Sequence, residues 1–347
     1  MSAYNYRVFV KDCLDLESLP VANSVCLSFS ITKDLMSTAT SDFTLLDMPT
    51  NIKTGDVLGL VDPYGTVIYT GVINSIGTTV SCREITAMFA DQWKYRTASG
   101  LATVEGKIKN FIDNDFVGSS DPMIADRFPF TVTASGQTTA ALEEKEPTFT
   151  MDFEQFLMQM YDLYGIKTEI SIPFGAVTPT IRVAKATHGA VKIGNNVLPV
   201  RNMTPLTEVF ETNKLVIYNS EGTTLRGTYY TTPSGITTNA SSPLRLPVTK
   251  TKFIFDTDTA LDDIKTANLQ EEIYNHKITF DLLLNNGLYD FYDWELGMPI
   301  EIFYNGAYYS TLFTKYSMAK ELNVDVAAVS ITCGKVRNTL TERLNAK

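Results

Sequence analysis

The sequence predicts an α+β protein, mostly β, in which two similar small β-barrel domains flank a mixed α/β insertion. Three observations carry this expectation. Segments near both ends alternate apolar and polar side chains with the two-residue period of a half-buried strand. Amphipathic helical stretches lie between them. A strand pattern that opens at Gly55 returns at Gly297. The expected partition is a first barrel over 1–98, an insertion over 99–250 with helices near 104–116 and 152–164, and a second barrel over 251–347 with a leading helix.

Taken in order, Tyr6–Val10, Val25–Ile31 and Ser41–Leu45 read as strands. Gly55–Val61 and Thr66–Ile73 form a hairpin around Asp62-Pro-Tyr-Gly65, where Pro63 presets φ for a turn. From Arg83 to Tyr95 the period changes, and Ile85, Met88, Phe89 and Trp93 fall on one face of a predicted helix. Ile108, Phe111 and Ile112 mark a helix that Gly118 stops. Residues 118–150 read as loop with short extended pieces. The clearest helix starts at Asp152 with Gln155 reaching back, carries Phe153, Phe156, Leu157, Met160, Tyr161 and Tyr164, and ends at Gly165. Lys214–Tyr218 and Leu225–Tyr230 pair as a hairpin, and 234–243 is a linker or loop. Thr259 and Asp262 suggest a capping box for a helix near Thr259–Ile273, before a β block over 276–336.

The repeat has a register. With Gly55 aligned to Gly297, Leu58 matches Ile300, Leu60 matches Ile302 and Val61 matches Phe303. After a one-residue difference in the turn, Val67 matches Tyr308 and Ile68 matches Tyr309. Val80 and Cys82 match Ile331 and Cys333 in a later strand. Side-chain faces are preserved, whereas a slip of one residue would invert them all.

The chain has 347 residues, enough for two or three cores, and a formal net charge of −10. That balance argues against gripping nucleic acid, whose affinity comes mostly from cationic side chains. Four cysteines (Cys13, Cys26, Cys82, Cys333) are too dispersed for a zinc motif or a disulfide scaffold and are expected to be reduced. Cys82 and Cys333 are expected in separate barrels. Neither a secretory leader nor a transmembrane run is predicted, so the protein is expected to assemble in a reducing cytoplasm.

Catalytic patterns are missing or broken. Gly100–Lys107 spaces its glycines wrongly for a phosphate loop and puts Ile108 where a Mg²⁺-binding hydroxyl is needed. His188 and His276 stand far apart and without ligand-spaced partners. Asp256-Thr-Asp258 begins like a calcium loop but has Leu261 in place of its glycine and Ala267 in place of its closing glutamate, so helix capping explains it better. The triplets at Asn202 and Asn239 carry no meaning without a secretory leader. Tyr289–Glu295, rich in acids and aromatics, reads as a sugar platform or, preferably, as a strand packed under a barrel or at an interface. No catalytic, cofactor-binding or metal residues are assigned, no cofactor is expected, and the chain is read as not an enzyme.

Ser28–Lys33, Asp42–Leu45, Gly55-Asp-Val-Leu-Gly-Leu60 and Tyr69-Thr-Gly-Val-Ile73 together resemble the first barrel of the tail hub (baseplate hub, or tail-associated) proteins of long-tailed bacteriophages and related prophage or contractile particles. The sharp residues cover only 28–73, while the order barrel, insertion, barrel spans the chain. The resemblance implies a homotrimer whose two barrels per subunit make a pseudo-sixfold ring. The expected partners are the distal tail protein or tail tube on one side and a tip, fibre or spike protein on the other. The implied location is the virion tail tip, with DNA or effector passing through and not specifically bound. An acidic lumen suits such passage, because a basic one would hold phosphates. Relatives with a lytic extension carry it beyond the second barrel, so a chain stopping at Lys347 is expected to lack one unless it is a piece of a longer protein. Two other readings stand beside this: a carbohydrate-binding or host-adhesion module using 289–295, and a glycan-cleaving hydrolase with dispersed carboxylates.

Overall fold

The computed structural model describes residues 5–35, 39–90, 92–94, 101–138, 150–185, 191–195, 197–209, 212–232, 235–241, 251–269, 274–284, 286–322, 324, 326 and 328–334. The chain forms two units. The first takes Met1–Met203 and Thr279–Cys333, the second Thr204–Ile278 and Gly334–Lys347.

The first unit opens with β1 (Arg7–Lys11), β2 (Ala22–Asp34), β3 (Thr40–Leu45), β4 (Val57–Val61), β5 (Val67–Ile76) and β6 (Val80–Glu84). They run β1-β4-β5-β6-β3-β2, and β1 also pairs with β2, so the six strands close into a barrel without free edges. Val8, Val10, Phe43, Leu58, Leu60, Tyr69 and Cys82 are buried in it. Full burial of each large apolar side chain is worth about 1.5–3 kcal/mol. Phe9 lies over Gly59, where a Cβ would come within 2.1 Å of the ring. The expected hairpin is β4–β5. Asp62 Oδ1 accepts the N–H groups of Tyr64 and Thr66 at 2.9 and 2.8 Å, which fixes its turn.

The chain does not leave this barrel on the helix expected over Arg83–Tyr95. Ile85–Phe89 makes one 3-10 turn, and β7 (Gln92–Lys94) then pairs with a later strand, Trp93 opposite Met151. Strand pairing and burial of Phe89 and Trp93 override the local helical period here. The helix α1 (Val104–Ile112) follows, capped by Thr103 and continued by a π turn, Asp113–Val117, up to Gly118. A short α2 (Pro122–Ala125), β8 (Thr131–Ser135), β9 (Thr150–Asp152), α3 (Phe153–Tyr164), β10 (Ile166–Ser171) and β11 (Thr180–Lys185) complete this region. As expected, Asp152 caps α3 by accepting from Glu154 and Gln155, and Gly165 ends it at φ 68°. Strands β10-β11-β8 form a sheet that shares its core with Phe89, Trp93, Phe111, Phe116, Phe153 and Phe156. Their edge-on and tilted contacts at 4.8–5.9 Å add to simple burial.

β12 (Val191–Gly194) and β13 (Val200–Val209) come next. The second unit then contributes β14 (Lys214–Tyr218), β15 (Leu225–Thr232), β16 (Gly235–Thr237) and β17 (Thr251–Phe255) in the order β16-β15-β14-β17, followed by α4 (Leu261–Asn268). Leu215, Ile217, Ile264 and Leu269 form its core. The β14–β15 hairpin is the expected one, with Asn219 Oδ1 accepting from Thr223 and Thr224. The Thr259–Asp262 capping box does not form. Ala260 occupies the cap position without a side-chain bond, and Asp256 braces the preceding turn by accepting from Asp258 N, Thr259 N and Thr259 Oγ1.

β18 (Tyr274–Leu283), β19 (Pro299–Tyr304), β20 (Ala307–Lys320) and β21 (Ala328–Gly334) are the last strands among the described residues. Pairing gives β12-β19-β20-β21-β18-β13, and β2 joins this set to the first barrel through β20, Phe29 opposite Lys320 to Asp34 opposite Lys315. Tyr289–Glu295 is not a strand. Asp290 caps a 3-10 turn over Phe291–Asp293, because its carboxylate accepts the Tyr292 N–H at 3.0 Å.

Candidate functional site

The feature with functional content is an internal duplication. In chain order the first barrel's six strands are β1 to β6, and the second set is β12, β13, β18, β19, β20, β21. Replacing each member of the first list by its counterpart turns the sheet order β1-β4-β5-β6-β3-β2 into β12-β19-β20-β21-β18-β13, which is the observed one. The second copy therefore recruits β12 and β13, from residues assigned by sequence to the insertion. Strands β14–β17 and α4 enter between its second and third members. Two pairings differ among the described residues: β12–β19 is parallel where β1–β4 is antiparallel, and the β1–β2 pairing that closes the first barrel has no β12–β13 counterpart.

The repeat extends to individual hydrogen bonds. Gly55 N donates to Ile73 O at 2.8 Å and Ile73 N to Asp56 O at 2.8 Å; Gly297 N donates to Phe313 O at 2.7 Å and Phe313 N to Met298 O at 2.9 Å. Both glycines have positive φ, 94° and 89°, which L side chains avoid. Leu58, Leu60, Ile300 and Ile302 are all buried, as the alignment requires. The alignment of Ile68 with Tyr309 is off by one residue. Leu60 pairs with Tyr69 and Val61 with Val67, so Ile68 is the extra residue of a bulge, and Tyr69 is the counterpart of Tyr309, which faces Ile302.

Where the two copies and α3 meet within the first unit there is a cavity of about 310 Å³, lined among others by Lys33, Glu84, Glu154, Glu295, Trp294 and Tyr316. Burial pushes the Glu84 carboxyl up to about 7, against the Lys33 ammonium and the Asp34 N–H, which bonds to it at 3.0 Å. Burial likewise lowers Lys33, with Glu84 opposing. Glu154 accepts from Thr86 Oγ1 at 2.8 Å and faces Arg83 at 3.7 Å. Lys167 bridges Glu169 at 3.3 Å and Glu295 at 3.1 Å. These charges pair with one another across the joint between strands and helix. Tyr161, from α3, donates to Gly297 O at 3.2 Å, and a Cβ on Gly297 would stand 2.4 Å from its hydroxyl oxygen.

The other sequence candidates resolve as structure. Gly106 N donates to Thr103 Oγ1, so the phosphate-loop-like stretch is the capped start of α1 where it is described. Gly100 and His188 lie outside the described residues, and His276 is in β18. Phe291 and Trp294 are buried against Phe313, with ring centroids 6.4 and 5.9 Å away, so these two line the second copy's interior, while Tyr289 is half-buried and Tyr292 exposed. Cys82 and Cys333 are free, buried in β6 and β21, with thiols pushed up by desolvation. Sequence reasoning missed the cluster of Asp12, Cys13 and Asp56. Asp56 is spent on the N–H groups of Cys13 and Lys53, and Asp12 on Leu14 N and the Lys53 ammonium, so the cluster braces two loops.

No protein-family model and no curated protein matches the sequence. Solved structures do. A tail protein from Neisseria meningitidis is 13% identical with a TM-score of 0.55, covering 95% of this chain and 97% of its own. The 43 kDa tail protein of prophage MuSo2 from Shewanella oneidensis is 13% identical at TM-score 0.54, with 96% and 97% covered. A chain of the P2 virion baseplate in its activated conformation is 11% identical at TM-score 0.54, with 95% and 98% covered. The chain has the fold of phage and prophage tail and baseplate proteins along nearly its whole length.

Proposed function

We propose that this chain is a structural, non-enzymatic hub of a phage or phage-like tail tip or baseplate. Three copies would form a ring in which each subunit contributes two barrels, one within 1–98 and one built from β12, β13 and β18 to β21. Such a ring would connect a sixfold tail tube or distal tail protein to a threefold tip, fibre or spike, and would leave a conduit for DNA or effector. The observation that carries the reading is the strand order shared by the two copies. A subunit with one barrel could match only its own rotational symmetry; a subunit with two offers twice as many quasi-equivalent contacts. The net charge of −10 supports passage of nucleic acid without retention.

Native mass spectrometry of the purified chain together with negative-stain averaging tests it. The expected result is a species of three chains whose end-on average has six lobes around an opening. A monomer or dimer across the accessible concentration range, with no ring in the averages, overturns it.

A further inference from the structure

One end of the first barrel is covered by three loops that bond to one another. Strands β1, β3 and β5 finish there and β2, β4 and β6 begin there. The β3–β4 connection, 46–56, must cross that end, since β3 lies between β6 and β2 while β4 lies between β1 and β5. It is tied to the β1–β2 loop by Lys53 on Asp12 at 3.2 Å and by Asn51 Nδ2 on Val21 O at 2.7 Å. The β10–β11 loop joins them: Lys11 Nζ donates to Gly175 O at 2.9 Å and Thr178 Oγ1 to Glu17 at 2.7 Å.

Six large apolar side chains project from these three loops: Leu14, Leu19, Val21, Leu46, Phe174 and Val177, exposed by 41% (Val21) to 66% (Leu19). The loops are held by the bonds just described, so the apolar groups stand on a braced platform. Clustered apolar exposure of this kind marks interaction sites. The charges select the occupant. Residues 11–21 and 46–56 carry five carboxylates (Asp12, Asp15, Glu17, Asp47, Asp56) against two ammonium groups (Lys11, Lys53), a net of −3, and 172–179 carry none. Lys11 is buried and Lys53 is paired with Asp12, which leaves Asp15, Glu17 and Asp47 as exposed acids beside the apolar groups. A second copy of the same face would bring −3 against −3, and an anionic lipid surface or nucleic acid would be repelled in the same way.

We infer that this end of the first barrel is a docking surface for a protein whose apolar patch is bordered by lysine or arginine. The inference goes beyond the hub reading and stands on surface chemistry alone, so a failed ring test leaves it intact and the reverse. The probes are two amphipathic helical peptides with the same leucine stripe, flanked by lysine in one and by glutamate in the other. Hydrogen–deuterium exchange on the full chain should show the lysine peptide protecting 12–21, 46–56 and 172–179. The glutamate peptide should bind at least roughly tenfold more weakly. Leu19→Ser with Leu46→Ser should remove the protection. Glu17→Lys with Asp47→Lys should reverse the peptide preference while leaving the fold and its thermal transition in place. Equal binding of both peptides, protection elsewhere or no protection overturns the inference. So does self-association, or binding to phosphatidylglycerol vesicles, that the Leu19→Ser, Leu46→Ser variant abolishes.

Discussion

The hairpins that open at Gly55 and Gly297 share a backbone and differ in what surrounds it. In the first, a five-residue turn organised by Asp62 and a bulge at Ile68 separate the strands, and the nearest atom to a Cβ on Gly55 is Cys13 Sγ at 3.9 Å. In the second, Asn305 and Gly306, both at positive φ, make a two-residue turn without a bulge, and Gly297 is pressed against Tyr161. Ile73 becomes Phe313, which packs among Phe291, Trp294 and Tyr316. The ladder and the glycine conformation are what the two copies hold in common, while turn chemistry and side-chain volume are free to change. Of the two glycines it is the second copy's that meets α3, through Tyr161.

That contrast can be broken most severely at its matched core position. Phe313→Ala should cost about 3–5 kcal/mol and Ile73→Ala about 2–4 kcal/mol, read by urea denaturation, because the larger ring leaves the larger void. Equal costs would mean that the second copy is no more densely packed around this position than the first. The glycines come next. Gly297→Ala should cost about 2–3 kcal/mol and Gly55→Ala about 1–2 kcal/mol, since both add backbone strain but only the first also collides with a buried hydroxyl. Tyr161→Ala should recover part of the Gly297→Ala loss in a double-mutant cycle and none of the Gly55→Ala loss; additivity at Gly297 would deny the collision.

The last effect is electrostatic and belongs to the first copy alone, because β6 carries Glu84 and β21 carries no carboxylate. A carboxyl raised to about 7 from its ordinary 4.5 binds its proton more tightly in the folded chain than in the unfolded one. Stability from this group is therefore greatest below the unfolded value and falls as pH rises through that window. Glu84→Gln should flatten the fall between about pH 4.5 and 7. A thermal-melt series with the same slope for both proteins would put the titration elsewhere.

The sequence made the repeat legible because glycine conformation and strand alternation are local properties. The Gly55–Gly297 alignment and the buried faces could be read directly, as could Asp152 and Gly165 at the ends of α3. What was hidden depended on distant partners. β7 reads as helix until Met151 pairs with Trp93, and the Ile68 bulge has no sequence mark besides the count of residues. β12 and β13 fall inside the expected insertion because the strands they pair with lie far downstream, a separation that no short-range pattern can report. The charged cavity was equally invisible. Glu84 and Glu154 come from elements far apart in the chain, and only packing makes them neighbours.

The entry of β14–β17 and α4 between β13 and β18 has an evolutionary corollary. Those two strands are hydrogen-bonded neighbours, with Leu283 N on Pro199 O at 2.8 Å and Asn202 on Asp281 at 2.7 Å, so the chain departs and returns at one spot on the sheet. Closing such a gap costs only the logarithm of the length between its ends. Descendants of one duplicated ancestor can therefore lengthen, shorten or exchange this cassette while the ladder beneath it stays in register. Lineages sharing the frame would then diverge fastest at this seam.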